Sequence, residues 1–197
     1  MNKFFLNLGS QPLANDFRKK YSPFFYNLKL SFNTKTKIVS INKRIKKEIM
    51  FNKTYPYRSS KSLLVKKLSK EISLKINKKY KFKNILEIGS NDGTFAENFK
   101  RSKIVSIEPC KNVAAQLKKK GIKVYIEYFD KNLVKKLKKD YLNFDVIYSA
   151  NTITHINNLN QVLNNLYKIL SDQGTFILEE PSLLECYKTN SFDQFYN

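Results

Sequence analysis

Cysteine, histidine, arginine and acidic residues are all scarce in this 197-residue chain. The 2 cysteines, Cys110 and Cys186, form no C-x-x-C pair, which excludes a disulfide framework and leaves a reducing compartment as the expectation. No apolar run approaches membrane-spanning length, and the N-terminal Phe4-Phe5-Leu6 turns polar at Asn7, too soon for a signal-peptide core. A cytoplasmic protein with no membrane partner is therefore expected. Acids are outnumbered, with 16 Asp+Glu against 37 Lys+Arg and a formal net charge of +21. Such an imbalance normally raises nucleic acid as a partner. Only Arg18, Arg44, Arg58 and Arg101 are arginines, however, and the lysine excess comes with abundant Asn, Ile, Phe and Tyr, as an AT-rich coding sequence would produce. In residues 117–120 and 133–139 the lysines alternate with apolar positions at helical spacing, so a solvated helix face accounts for them better than a nucleic-acid surface does.

What is present is organised unevenly. Residues 1–57 show no sustained periodicity and contain Pro12, Pro23 and Pro56; they read as a small, loop-rich region with short strands at 29–32 and 37–41. Ser60 is a candidate cap for a linking helix within residues 58–80, where Leu64, Leu68, Ile72 and Ile76 recur every four residues. From Asn84 onward short apolar runs alternate with amphipathic segments. Strands are expected at 85–88, 104–108, 123–126, 144–149 and 175–179, with helices at 93–100, 112–120, 131–139 and 159–170. This alternation predicts an α/β, Rossmann-like domain over residues 81–181, its parallel strands in the order 3-2-1-4-5. Residues 182–197 form a tail too short to supply closing antiparallel strands, so the fifth strand is expected to be an open edge available for self-association.

The chemistry is concentrated in Glu87-Ile88-Gly89-Ser90-Asn91-Asp92-Gly93, followed about 20 residues on by Glu108. An apolar strand that ends in an acid and a glycine-bracketed loop, with a second acid closing the next apolar run, is the first βαβ unit of a nucleotide-binding sheet. Gly89 allows a tight exit from the strand, Gly93 a close helix approach, and Glu108 can accept two ribose hydroxyls. The loop departs from G-x-G-x-x-G and carries Asp92 within it and Glu87 before it. Two carboxylates repel a pyrophosphate but suit a ligand bearing an ammonium and a sulfonium. S-adenosylmethionine is such a ligand. Because ligands bind beyond the carboxyl ends of such strands, the expected cofactor residues are Glu87, Gly89, Ser90, Asn91, Gly93, Glu108, Tyr128, Phe129 and Asn151.

Four blocks carry a family resemblance: residues 8–17 (LGSQPLANDF), 55–60 (YPYRSS), 86–95 (LEIGSNDGTF) and 149–156 (SANTITHI). The chain resembles the sugar C-methyltransferases that act on nucleotide-linked 4-keto-deoxysugars, and residues 192–196 resemble the start of that family's F-D-x-x-Y-H-E-H signature. The resemblance spans nearly the whole chain but about the first half of a typical member. It implies a class I methyltransferase fold, S-adenosylmethionine as cofactor, a nucleotide-sugar acceptor, and His155, Tyr57 and Tyr196 as active-site groups. His155 is the sole histidine, and imidazole is the side chain suited to moving a proton near neutral pH.

Two departures qualify what the resemblance implies. The family's N-terminal zinc module uses two cysteine pairs, whereas Asn33 and Thr36 stand at the second pair here; no metal is expected. The family's His-Glu-His cluster is absent after Tyr196, so the resemblance implies a shortened enzyme that is impaired or completed by a second polypeptide. A non-catalytic cofactor-binding remnant or assembly protein is the alternative. An RNA methyltransferase is further off, since the loop after the fourth strand reads Asn151-Thr152-Ile153-Thr154 and not the N-P-P-Y type.

Overall fold

The computed structural model describes residues 1–14, 24–42, 44–81 and 84–191. The chain divides into two compact units, one made of residues 1–56 with the segment from Pro181 on, the other of residues 57–180.

The first unit contains an antiparallel sheet of β1 (Asn2–Pro12), β2 (Phe25–Asn33) and β3 (Val39–Ile41), in that spatial order. The expected strands at 29–32 and 37–41 fall within β2 and over β3. β1 has no counterpart in the sequence reading. Its side chains are exposed or half-buried along its whole length, so it lacks the alternation by which a strand shows itself. The pairing of β1 with β2 shifts register between Phe4 and Leu6 and between Asn7 and Ser10. At the second shift Gly9 has φ +72° and donates its N–H to the Asn7 side chain.

Asn33 heads the turn between β2 and β3. Its Oδ1 accepts the N–H groups of Lys35 (3.0 Å) and Thr36 (2.9 Å), and its Nδ2 donates to Asn2 Oδ1 at 2.7 Å. This Asx turn closes the hairpin through hydrogen bonds, with Lys37 Nζ over the Phe32 ring at 5.9 Å beside it. The residues at this position do not fit a metal: both polar ends of Asn33 are engaged, and among the described residues no group of three or more His, Cys, Asp and Glu side chains could hold one. A short helix, α1 (Lys47–Met50), follows with Met50 buried.

The second unit opens with a 3-10 turn, Ser59–Lys61, and α2 (Leu63–Lys79). The cap of α2 is Ser62, whose hydroxyl accepts the Val65 N–H, and not Ser60. The apolar stripe expected along α2 is buried only at its C-terminal end. Ile76 is fully covered, Leu64 and Leu68 are exposed, and the small side chains of Ser69 and Ser73 complete the buried face.

The sheet that follows comprises β4 (Ile85–Ile88), β5 (Ile104–Ile107), β6 (Lys123–Tyr125), β7 (Phe144–Ala150) and β8 (Leu170–Glu179), all parallel in the order β6-β5-β4-β7-β8. That is the expected 3-2-1-4-5 arrangement. The crossovers are α3 (Lys111–Lys119), α4 (Lys131–Tyr141) and α5 (Leu159–Ile169). Side chains alternate across the central strands. Leu86, Ile88, Val105 and Ile107 pack with residues of α4 and α5, while Ile85, Ile104, Val146 and Tyr148 pack on the other face with Ile76, Phe95 and Leu117. The lysines of α4 at 131, 135, 136, 138 and 139 are exposed, as a solvated helix face requires. Among the described residues no strand pairs with the outer edge of β8.

One expected helix is absent. Residues 93–100 form only a 3-10 turn, Ala96–Asn98. Phe95, Ala96 and Phe99 are all buried, and Phe95 stacks on Tyr148 with ring centroids 3.9 Å apart. The Asn98 amide donates to the carbonyls of Thr94 and Phe95, an alternative to helical bonding that asparagine readily offers. The last helix, α6 (Leu183–Thr189), is capped by Ser182 and groups with the first unit. No helix among the described residues is long and apolar enough to cross a membrane.

Replacing Asn33 by alanine should release the amides of Lys35 and Thr36. Their hydrogen exchange, followed by NMR, should accelerate at a cost of about 1 kcal/mol in stability. A chelator such as EDTA should leave the thermal melting curve of the wild-type chain unchanged.

Candidate active site

The loops that follow β4, β5 and β7 converge at the carboxyl edge of the sheet. Gly89 leaves β4 with φ +78° and Gly93 has φ +82°, a backbone region that favours glycine. The N–H groups of Gly89 and Ser90 both donate to Ile107 O, at 2.9 and 3.0 Å, which fastens the first loop to β5. A β-carbon at Gly89 would lie 2.1 Å from Thr152 Oγ1, and one at Gly93 would lie 3.0 Å from Leu117 Cδ2. Gly93 thus admits Leu117 of α3, and not the helix expected directly after it, which does not form. Gly89 admits a side chain from the β7 loop, for which the sequence offers no signal.

Three acids lie in this region, each in a different state. Glu108 is 5% exposed. Its Oε2 accepts the Asn91 N–H at 2.9 Å and its Oε1 the Cys110 N–H at 2.8 Å. Burial raises its pKa; the bonds from Cys110 and Asn91 and the nearby charge of Arg58 pull the other way. Asp92 is turned inward, accepting from the Ser60 N–H and from the Thr94 hydroxyl at 2.8 Å. Its own carbonyl accepts Lys120 Nζ at 2.9 Å, and that ammonium also pairs with Glu97. Glu87 is buried beneath the loop, and its Oε2 has no hydrogen-bond partner among the described residues. Burial pushes its pKa up to about 8, with the charges of Glu108 and Asp92 adding to the rise and Ser90 and Lys120 opposing it. Burial thus favours the protonated form of Glu87.

Asn91 does more than line the loop. With φ +49° it directs Oδ1 to the Ser59 N–H (2.9 Å) and Nδ2 to the Tyr57 carbonyl (3.4 Å). Asn91 and Asp92 together clip residues 57–60 onto the glycine loop. This brings the charge of Arg58 near Glu108 and leaves the Tyr57 side chain exposed. The Ser90 hydroxyl points inward to Glu87 O at 3.1 Å.

On the other side, Asn151 has φ +48° and donates its N–H to Glu179 O at 2.8 Å. His155 closes a 3-10 turn, Ile153–His155, and is half-buried. Tyr128 is half-buried, whereas Phe129 belongs to the hydrophobic core on the α4 and α5 side of the sheet. Tyr196 lies outside the described residues. The structure thus ties Glu87, Gly89, Ser90, Asn91, Gly93, Glu108 and Tyr57 into one bonded cluster and sets the turn bearing His155 against it through Thr152. Three contributors went unread in the sequence: Thr152, Arg58 as a neighbour of Glu108, and Glu180, which holds the β7 loop.

This arrangement of strands and loops has relatives. Residues 57–196 match the methyltransferase domain family. The chain belongs to that family. The cofactor of this family is S-adenosylmethionine, and the chemistry of the site fits it: the carboxylate of Glu108, fixed beside the glycine loop, is suited to ribose hydroxyls. A stretch of 115 residues is 26% identical to the C-methyltransferase NovU of Streptomyces niveus, taking in 57% of this chain and 27% of NovU. The chain thus spans well under two thirds of that methyltransferase's length. Two solved methyltransferases are similar in fold. One, a SAM-dependent methyltransferase of Thermotoga maritima described as a possible histamine N-methyltransferase, is 21% identical over 70% of this chain and 65% of its own, with a TM-score of 0.49. The other is CalS10, an amino pentose methyltransferase of Micromonospora echinaspora, 13% identical over 60% of this chain and 52% of its own, also at 0.49.

The protonated Glu87 has a consequence for this methyltransferase domain's stability. A carboxyl whose pKa rises on folding stabilises the fold fully below its unfolded value, near 4.5, and loses that contribution as pH climbs through about 8. The Glu87→Gln variant should therefore gain stability relative to wild type across this window, by up to about 1.4 kcal/mol per pH unit. Urea denaturation of both proteins at pH 5, 6.5 and 8 measures the trend; a constant difference would exclude a proton on Glu87.

Proposed function

We propose that the chain binds S-adenosylmethionine at the carboxyl edge of β4, β5 and β7 and methylates a carbon of a nucleotide-linked keto-deoxysugar. The observation that carries the cofactor half is the fixed carboxylate of Glu108 beside the glycine loop, held by the N–H groups of Asn91 and Cys110. Each carboxylate oxygen has two lone pairs, so two backbone bonds leave acceptor capacity for the two hydroxyls of a ribose. Gly89 turns the chain sharply at the end of β4, its missing side chain giving way to Thr152, and Ser90, Asn91 and Gly93 shape the loop around the methionine portion. Glu87 lies below with one oxygen unpartnered, and an approaching ammonium would favour its ionised form. Tyr128, Phe129 and Asn151 complete the reading at the neighbouring strand ends.

When bound, the cofactor supplies an electrophilic methyl group on a sulfonium. Methylation beside a ketone further requires a base for the α-proton. His155, on the turn that follows β7, takes this role, with Tyr57 beside the loop; the family resemblance adds Tyr196 as an active-site group. The acceptor class rests on the four sequence blocks shared with sugar C-methyltransferases and on the likeness to NovU, itself a C-methyltransferase.

Isothermal titration with S-adenosylmethionine and S-adenosylhomocysteine tests the cofactor half. Micromolar binding is expected, weakened about 10- to 100-fold in Glu108→Gln, as loss of a charge-assisted hydrogen-bond acceptor predicts. A folded wild-type chain that binds neither compound would overturn the proposal.

A further inference from the structure

The loop carrying His155 is held by an acid that the cofactor reading does not use. Glu180 follows β8 directly, and its Oε1 accepts three successive backbone N–H groups: Thr152 at 3.0 Å, Ile153 at 2.8 Å and Thr154 at 3.3 Å. Its Oε2 accepts the Thr154 hydroxyl at 3.1 Å. The preceding residue serves the strand instead, since the Glu179 side chain accepts the Tyr148 hydroxyl while its carbonyl accepts the Asn151 N–H. Two adjacent acids thus divide the work of fixing β7 and the loop beyond it.

Three consecutive N–H groups converging on one anionic oxygen form a backbone nest that is filled from within the chain. The charge leaves the nest little freedom, because any rotation of residues 152–154 strands several donors at once. The turn is closed further on by His155 N–H to Thr152 O at 3.1 Å and Ile156 N–H to Ile153 O at 3.0 Å. Ile153 anchors it below by burying its side chain in the core, and Thr152 seats it against Gly89. The carboxylate, the turn, the imidazole and the cofactor loop are therefore mechanically continuous.

We propose that Glu180 is a positioning residue that sets the place of the His155 imidazole relative to the cofactor loop. It touches neither reacting atoms nor cofactor; it acts through the backbone of residues 152–154. The functional importance of that placement rests on reading His155 as the group that moves the proton, whereas the coupling of Glu180 to His155 can be measured without turnover.

His155 is the sole histidine, so the imidazole gives a single, self-assigned NMR signal in the full-length chain. The experiment compares wild type, Glu180→Ala, Glu180→Gln and the exposed control Glu71→Gln on α2, with and without S-adenosylhomocysteine. In Glu180→Ala the imidazole signal should shift or broaden and the Ile153 amide should exchange at least about 10-fold faster. Glu180→Gln, which keeps one acceptor oxygen but no charge, should fall between alanine and wild type, and Glu71→Gln should match wild type. Affinity for S-adenosylhomocysteine in Glu180→Gln should stay within about 3-fold of wild type, and where an acceptor is turned over, kcat should fall while KM for the cofactor holds. A folded Glu180→Ala with wild-type imidazole signal and Ile153 exchange would overturn the proposal. So would a Glu180→Ala that fails to fold alongside a Glu180→Gln indistinguishable from wild type. If the wild-type chain binds no cofactor, the enzyme reading fails while the Glu180–His155 coupling is still read directly from the free protein.

Discussion

Gly89 leaves β4 in a left-handed conformation, and the space its β-carbon would occupy is already taken by the side chain of Thr152. This one close approach controls the carboxyl edge of the sheet. Because Gly89 turns at once, its N–H and that of Ser90 both reach the end of β5, and Asn91 arrives where its N–H meets Glu108. Because it lacks a side chain, the β7 loop can lie against it. Any larger residue would have to displace either the cofactor loop or the turn bearing His155, and the second is locked by Glu180. The loops from three strands are thus mutually dependent, and none could be moved alone.

The same geometry changes how the acids act. In sequence, Glu87 and Asp92 look like a pair of negative charges facing a cationic ligand. In the structure Asp92 is spent on the Ser60 N–H and the Thr94 hydroxyl, fastening residues 57–60 to the loop. Glu87 is buried with its pKa pushed up to about 8, and Glu108 is held at the tip of β5 by two backbone donors that favour its charge against the burial that opposes it. S-adenosylmethionine remains the cofactor that the family and the loop call for. The electrostatic ground for expecting it, however, shifts from two carboxylates around the loop to one at the tip of β5.

How far the sequence could be read depends on whether the determinant is periodic, local or long-range. The sheet order was legible because short apolar runs alternate with amphipathic helices from residue 84 onward, and the glycine loop was legible because its spacing is tied to backbone conformation. The helix at 93–100 was misread because a local preference for helix is overridden by burial of Phe95 and Phe99 and by Asn98 bonding back to the chain. β1 was invisible because neither of its faces is consistently buried. Thr152 and Glu180 were illegible for another reason: their partners lie 63 and 27 or so residues away in the chain, and no spacing rule joins them.

Burial separates the meaning of the two kinds of charge in this chain. Of the charged residues, the buried ones among those described are Glu87, Asp92 and Glu108, all acids, the first near the end of β4 and the others in the loops that follow β4 and β5. The lysines of α4 face water instead. Burying an acid costs free energy unless donors or a compensating charge are supplied, and a chain with 16 acids against 37 bases has few to commit in this way. A drift in coding composition can scatter lysines over helix surfaces at little cost, because exposed ammonium groups remain hydrated. It cannot place three carboxyl groups in the interior, two of them supplied with backbone donors. The positive charge of the α4 lysines is therefore a property of the surface, and the chemically specific part of the second unit is the cluster of buried acids at the carboxyl edge of its sheet.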